Sequence, residues 1–202
     1  MLTESIKKKS DDIHAFQVWK ANTNKDWIQT YTGLKFHANN PAIEEISIRD
    51  IAHQLSFCCR FAGTTPLFYS VAQHSVLTYE ILLELQITDP KILLQGLLHD
   101  AAEAYIGDLP SPIKKLIPEY VALENRIIKV IGKAFDLDLI KSPIVERADA
   151  IALAMEYRDL RPQIYDWDLK EKALTFKKVS PKSNILNEIE FLKIFKNLNK
   201  IK

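Results

Sequence analysis

Between Gly96 and Lys115 the chain reads GLLHDAAEAYIGDLPSPIKK, a leucine-rich run that turns abruptly into His99, Asp100, Glu103 and Asp108. His99 and Glu103 are four residues apart and Asp100 and Glu103 three apart, so a helix would gather all three on one sector. Leu93, Leu94, Leu97 and Leu98 come just before them and predict that this sector adjoins the core. A carboxylate taken out of water beside such a run is costly unless a cation, hydrogen bonds or a proton offsets it. A divalent ion would do so directly, and imidazole mixed with carboxylate is the donor set that takes Mn, Fe, Co, Ni or Zn.

His99 and Asp100 alone cannot complete such a site, so other segments must supply donors. The chain has five histidines. His74, in YSVAQHSVLTYEILLEL, falls on the side shared with Val71 and Ile81, where an unpaired imidazole needs a reason. Asp149 lies in VERADAIALAMEY, where Ala148, Ala150, Ala152 and Ala154 leave room for close helix approach. A set of His74, His99, Asp100 and Asp149 would draw ligands from three helices, a common way to build a metal site in a helical core. The plainer reading makes His99 a helix–helix hydrogen bond and Asp149 a charge near a helix N-terminus. Spacing alone leaves both open.

The elements that must position these groups are helical. WIQTYTGLKF alternates around a Thr32-Gly33 turn and predicts a small hairpin. SIRDIAHQLSFCCRF places Ile48, Ile51, Leu55 and Cys58 at helical spacing, with Ser47 as N-cap and Asp50 in the capping-box position. TDPKILLQGLLHDAAEAYIG predicts one helix with Thr88 as cap, Pro90 in its first turn and Gly107 at its stop. LPSPIKKLIP has three prolines in ten residues and reads as a loop with at most one short turn. EYVALENRIIKVIGKAFDL is a long amphipathic helix, and SPIVERADAIALAMEYRDL another, started by Ser142-Pro143. The segment 181–199 repeats that Ser-Pro start as a C-terminal helical extension, apolar at Ile185, Ile189, Leu192, Ile194 or Phe195, and Leu198. The sum is an all-α bundle of about six helices with a small N-terminal β-hairpin.

Composition agrees with a soluble protein. With 202 residues, 26% charged, 47% hydrophobic and a formal net charge of +1, residues 1–202 fit one ordinary domain. No apolar run reaches the roughly 18 residues a membrane span needs, and MLTESIKKKSDDIHAF lacks a signal-type apolar stretch, so a cytoplasmic location is expected. Cys58 and Cys59 are neighbours, which excludes a disulfide framework and suggests small core residues. From Asp168 onward nine lysines face four acidic residues, spread through a helical pattern without arginine. That argues for a solvated basic surface and against specific nucleic-acid binding. No P-loop or dinucleotide-binding glycine pattern occurs.

Taken in order, YSVAQHS, LLHDAAEAYIGDLPSPIKK and ERADAIALAMEY resemble the HD-domain metal-dependent phosphohydrolases. Within them the chain looks most like the branch of bacterial 5′-deoxynucleotidases and phage-type deoxynucleotide hydrolases, over about Ile48 to Leu160. The resemblance implies an HD-type helical bundle holding one or two divalent metal ions (Mn, Co, Ni, Fe, Zn or Mg) on His74, His99, Asp100 and Asp149. It implies that Glu103 handles the attacking water or the leaving-group proton and that Asp108 lies near the sugar. Arg60 and Lys114 would contact phosphate, as cations that neutralise phosphoryl charge, and Phe61 would pack on the deoxyribose. The implied activity is release of phosphate from deoxynucleoside monophosphates. Triphosphate hydrolysis, or a non-catalytic metal- or nucleotide-binding role, stands as the alternative. Relatives commonly self-associate, so a homo-oligomer is compatible.

Two departures bear on substrate choice. Phe61 stands where the best-known deoxynucleotidases have Trp, so the indole N–H donor is lost. Thr64 stands where many phage-type relatives carry His. Other polar and aromatic candidates read as structural. His53 is expected in a supporting role, and His14 and His37 in local hydrogen bonds. Glu156 and Arg158 read as surface or helix-pairing salt bridges, and Trp19, Trp27 and Trp167 as members of satellite cores.

Overall fold

In the computed structural model, which describes residues 26–161 and 166–199, strand is confined among the described residues to β1 (Ile28–Gln29) and β2 (Lys35–Phe36). They pair antiparallel, Ile28 opposite Phe36 and Gln29 opposite Lys35. Gly33 closes the turn at φ 89°, a conformation glycine adopts without Cβ strain. Asp50 is fully buried and accepts from Thr32 N at 2.6 Å and Thr32 Oγ1 at 2.8 Å. It therefore fastens the hairpin to the first helix rather than closing a capping box. His14 and Trp19 lie outside the described residues.

The helices are α1 (Ile48–Phe57), α2 (Val71–Glu84), α3 (Pro90–Leu98), α4 (Glu103–Ile106), α5 (Ser111–Lys114), α6 (Pro118–Phe135), α7 (Pro143–Leu160) and α8 (Asn184–Asn199). Among the described residues six of these have nine residues or more, in line with the all-α reading. Ser47 and Ser70 cap α1 and α2 through their hydroxyls. Asp89, not Thr88, caps α3 by accepting from Lys91 N at 2.8 Å, because Pro90 takes the first helical position.

The helix expected to run from Pro90 to Ile106 is broken. After Leu98 the amides of Ala101, Glu103, Ala104 and Tyr105 bond three residues back, at 2.9, 3.0, 3.3 and 3.0 Å. In such a tightened turn residues three apart eclipse, which sets Glu103 over Asp100 rather than over His99. Gly107, at φ 81°, ends the segment.

The buried helix α2 packs against α1, α3, α7 and α8. Val71, Ala72, Val76, Leu77, Ile81 and Leu82 are all buried, and each fully buried leucine contributes roughly 1.5–3 kcal/mol. Close approach is built in on two sides. Ala148 and Ala152 on α7 are fully buried, and a Cβ placed on Gly96 of α3 would meet Leu82 Cδ1 at 2.3 Å.

Helix α8 starts at Asn184, three residues after the Ser-Pro pair, and belongs to the core rather than to an appendage. It turns Phe191, Phe195 and Leu198 inward, while Ile185 and Ile189 are 66% and 58% exposed, against the expected face. Its buried Asn187 donates to Ser70 Oγ at 3.0 Å, tying it to the start of α2. Cys58 and Cys59 are free and half-buried, and Cys58 packs against the core. No helix among the described residues is long and apolar enough to cross a membrane.

Candidate metal centre

Helices α2 and α7 and the turn after α3 bring four side chains to one point. Nε2 of His74 lies 3.3 Å from Nε2 of His99 and 3.1 Å from Asp149 Oδ1. Nε2 of His99 lies 3.0 Å from Asp100 Oδ2 and 3.8 Å from Asp149 Oδ1. His74, His99 and Asp149 each offer one donor atom within 4.8 Å of the others. Asp100 stands beside that trio, its Oδ2 3.6 Å from His74 Nε2. Both imidazoles are buried, and Asp149 remains partly open.

Proton positions show what such a cluster would accept. His99 Nδ1 donates to the Gly96 carbonyl at 2.8 Å; a carbonyl only accepts, so Nδ1 carries the hydrogen. His74 Nδ1 donates to Glu156 Oε1 at 2.7 Å. In the neutral rings both Nε2 lone pairs then face each other and two carboxylate oxygens. Four acceptors at 3.0–3.8 Å repel unless a cation lies among them. Donors about 2.0–2.1 Å from one ion in a tetrahedral site stand roughly 3.3 Å apart, which these separations bracket. The donor set fits a divalent metal ion held by His74, His99 and Asp149, with Asp100 adjacent.

The electrostatics follow from the same contacts. Burial and the Arg60 charge push His74 down, but Glu156 and Asp149 outweigh them and raise it to about 9. Burial alone would raise Asp100, yet His99 and Lys141 hold it well below the carboxylate range. Asp149 is likewise held low, against burial, by the hydrogen bond to His74 and the charges of His99 and Lys141. Glu103 goes the other way. It is only 3% exposed, its Oε2 has no hydrogen-bond partner, and burial with the nearby Asp100 and Asp108 raises it well above the usual range. Burial of this kind favours the protonated form of the carboxyl.

The remaining sequence-derived candidates fall around this centre. Arg60 follows α1, where Arg60 N donates to Tyr69 O at 2.9 Å and Val71 N to Cys58 O at 3.0 Å, pinning the segment to the start of α2. Its Nε donates to Glu156 Oε2 at 3.0 Å. Phe61 and Ala62 then take left-handed conformations, φ 59° and 49°, at about 1–2 kcal/mol each. The guanidinium groups of Arg60 and Arg161 lie 4.9 and 5.3 Å from the Phe61 ring, with Trp167 edge-on at 6.4 Å. Thr64 is exposed and accepts from Arg161 at 2.6 Å. Lys114 Nζ sits between Glu103 Oε1 at 3.5 Å and Glu124 Oε1 at 2.7 Å. Asp108 is raised by burial, with Arg60 opposing and Asp100 reinforcing.

A cavity of about 810 Å³ opens beside the cluster, with His99, Asp100, Lys114, Lys129, Lys133 and Lys141 on its wall. Arg60, Phe61 and Asp108 do not line it. The other candidates are structural. His53 bonds Glu188 at 2.9 Å and stacks on Tyr31, and His37 bonds Glu45 at 2.6 Å. Arg158 pairs with Asp159 and bonds the Leu174 carbonyl. Trp167 is not in a satellite core; it is 36% exposed and stacks on Tyr157, while Trp27 lies under the Lys35 ammonium.

Sequence reasoning missed two members. Glu156 is fully buried and pairs with Arg60 across the fold rather than on the surface, and the signal for its site role was its place two turns beyond Asp149 on α7. Lys141, in the loop before α7, reaches Asp100 Oδ1 at 3.4 Å and Asp149 Oδ2 at 3.1 Å, the oxygens turned away from the imidazoles. No periodicity marks a loop residue, so nothing in the pattern could have found it.

The fold and site define an all-α protein with a buried His–His–Asp cluster suited to a metal ion. Over 134 residues the chain is 42% identical to the uncharacterized protein YfdR of Escherichia coli (strain K12), covering 66% of this chain and 72% of that one. Over 162 residues it is 32% identical to an uncharacterized protein of Rhodobacter capsulatus, covering 77% and 81%. The chain belongs to the family of these YfdR-like proteins. No family model matches it.

Proposed function

We propose that the chain is an HD-type, metal-dependent phosphohydrolase of deoxyribonucleotides, a cytoplasmic 5′-deoxynucleotidase that releases phosphate from deoxynucleoside monophosphates. The observation that carries the reading is the pairing of two opposite devices one turn apart. His74, His99 and Asp149 form an acceptor cluster that calls for a cation, and Glu103 beside it is a buried carboxyl whose protonated form is favoured by burial and by the nearby Asp100 and Asp108.

A divalent ion in the cluster would supply Lewis acidity toward a phosphoryl oxygen and a bound water of lowered pKa. The chain's own groups do the rest. Glu103 gives its proton to the ester oxygen as the P–O bond breaks and the oxygen of water bonds to phosphorus; the proton lost by water restores the carboxyl. Nucleoside and inorganic phosphate result. Lys114, held between Glu103 and Glu124, and Arg60, held on Glu156, carry fixed positive charge for the phosphoryl oxygens. Phe61, next to Arg60, is the aromatic surface offered to the sugar.

One observation favours a second reading. Lys129 and Lys133 stand on the cavity wall with Lys114 and Lys141, among the carboxylates of Asp100, Glu124, Asp136 and Asp138, and these further cations suit a longer phosphate chain and hence a deoxynucleoside triphosphate. Assay of phosphate, pyrophosphate and triphosphate release from deoxy- and ribonucleotides, with Mn, Co, Ni or Mg, separates the two. Metal uptake without turnover on any of these would leave a metal- or nucleotide-binding protein instead.

A further inference from the structure

Glu156 is fully buried, and both of its oxygens are committed. Oε1 accepts from His74 Nδ1 at 2.7 Å and Oε2 accepts from Arg60 Nε at 3.0 Å. His74 is on α2, Arg60 on the segment following α1, and Glu156 on α7, so one side chain joins three parts of the fold. A carboxylate accepts at both oxygens at once; an amide of the same shape cannot, because one of its terminal atoms is a donor. The Gly96 carbonyl does the corresponding task for His99.

We propose that Glu156 is a positioning residue that couples the metal cluster to an anion-binding arginine. Through Oε1 it fixes the His74 ring with Nε2 toward His99 and Asp149. Through Oε2 it holds Arg60 by its inner nitrogen, which leaves the two terminal nitrogens of the guanidinium as a fork for phosphate. The same carboxylate also balances the Arg60 charge where the side chain is only 12% exposed. Seven residues separate Asp149 from Glu156, two helical turns, so α7 presents a donor to the cluster and the carboxylate that orients another donor on one face. Metal uptake and phosphate binding are then linked through one residue that touches neither ligand. This inference rests on the metal-site reading above.

The test is calorimetric titration of the full chain with zinc, then of the zinc-loaded chain with inorganic phosphate. Glu156→Gln should weaken zinc binding about 10- to 100-fold, the usual effect of removing the outer partner of a ligating histidine, and weaken phosphate binding as well. Arg60→Gln separates the two arms: phosphate binding falls sharply, while zinc affinity falls less than in Glu156→Gln, because His74 Nδ1 keeps its acceptor. In the double variant phosphate binding should be no weaker than in the weaker single variant. Glu156→Asp retains two acceptor oxygens and should recover part of the zinc affinity lost in Glu156→Gln; it also serves if the Gln variant does not fold. In the zinc-loaded parent the His74 Nδ1 proton should appear in NMR spectra as a slowly exchanging signal, absent from Glu156→Gln. Parent-like zinc and phosphate binding in Glu156→Gln, or effects on phosphate that multiply in the double variant, would overturn the coupling alone. A parent chain that takes up no zinc would remove the metal site and this inference together.

Discussion

The Nε2 atoms of His74 and His99 stand 3.3 Å apart with each Nδ1 turned outward onto an acceptor, Glu156 for one ring and the Gly96 carbonyl for the other. Two rings oriented in this way present lone pairs to each other, and Asp100 and Asp149 add negative charge at the same point. A metal ion would relieve the repulsion. Without one, a proton on His74 does so.

That substitution of ion for proton sets a pH dependence. His74 is raised to about 9 from its ordinary 6.5, so protonation stabilises the metal-free fold fully below about 6.5, and the stabilisation is lost as pH rises through about 9. A metal displaces the proton, so zinc affinity should rise across the same window. Melting curves of chelated and zinc-loaded protein check this: the gap between them should widen from pH 6.5 to 9. A constant gap would contradict the assignment of the proton.

Asp149→Asn removes a charged donor while keeping its shape. Metal content by elemental analysis should fall from about one ion per chain to a small fraction, since a carboxylate is a far better ligand than an amide for a hard or borderline ion. Unchanged stoichiometry would remove Asp149 from the ligand set.

Glu103 lies beside the cluster but not in it. Glu103→Gln should leave metal content as in the parent and lower the hydrolytic rate by roughly 10²–10⁴, the range for loss of a general acid or base. Substantial retained turnover rules out that role.

Lys141 holds the outer oxygens of Asp100 and Asp149. Lys141→Met leaves those carboxylates facing each other with less compensation, which a divalent ion can supply. The metal-free variant should melt lower than the metal-free parent, and added zinc should raise its melting temperature by more than it raises the parent's. Equal shifts would show that the ammonium does not balance the pair.

Gly96→Ala tests how His99 is placed. A glycine-to-alanine change in a helix interior ordinarily gains about 0.5–1 kcal/mol, but here the new Cβ meets Leu82 Cδ1 at 2.3 Å. Overpacking of this kind costs about 1–3 kcal/mol, so chemical denaturation should show net destabilisation. A stabilised variant would mean that the Leu82 side chain moves aside at little cost.

Much of this was legible before any coordinates, and the limits have physical causes. His74 and Asp149 sit on long helices whose apolar period assigns a face, so their inward direction could be read. His99, Asp100 and Glu103 were legible as a group, but not the tightened turn that sets Glu103 over Asp100, because helix and tight turn share local sequence preferences. Glu156 shares a helix face with Asp149, which the spacing shows, but its contacts and those of Lys141 across the fold were not legible. Their partners lie 82 and 41 residues away, and no local period encodes a contact at that range. Helix α8 shows the same limit: apolar residues surround it, so its buried face was decided by packing on α1, α2 and α3.

The most direct test of the central claim measures metal content and phosphate release in the same sample. Purified protein is stripped with a chelator, assayed on 5′-deoxynucleoside monophosphates, reloaded with Mn, Co, Ni or Zn, and assayed again. Phosphate release should vanish on stripping, return on reloading, and exceed release from the matching ribonucleotides. Release that survives complete metal removal, or a fully loaded protein that releases no phosphate from any deoxynucleotide, would contradict the account.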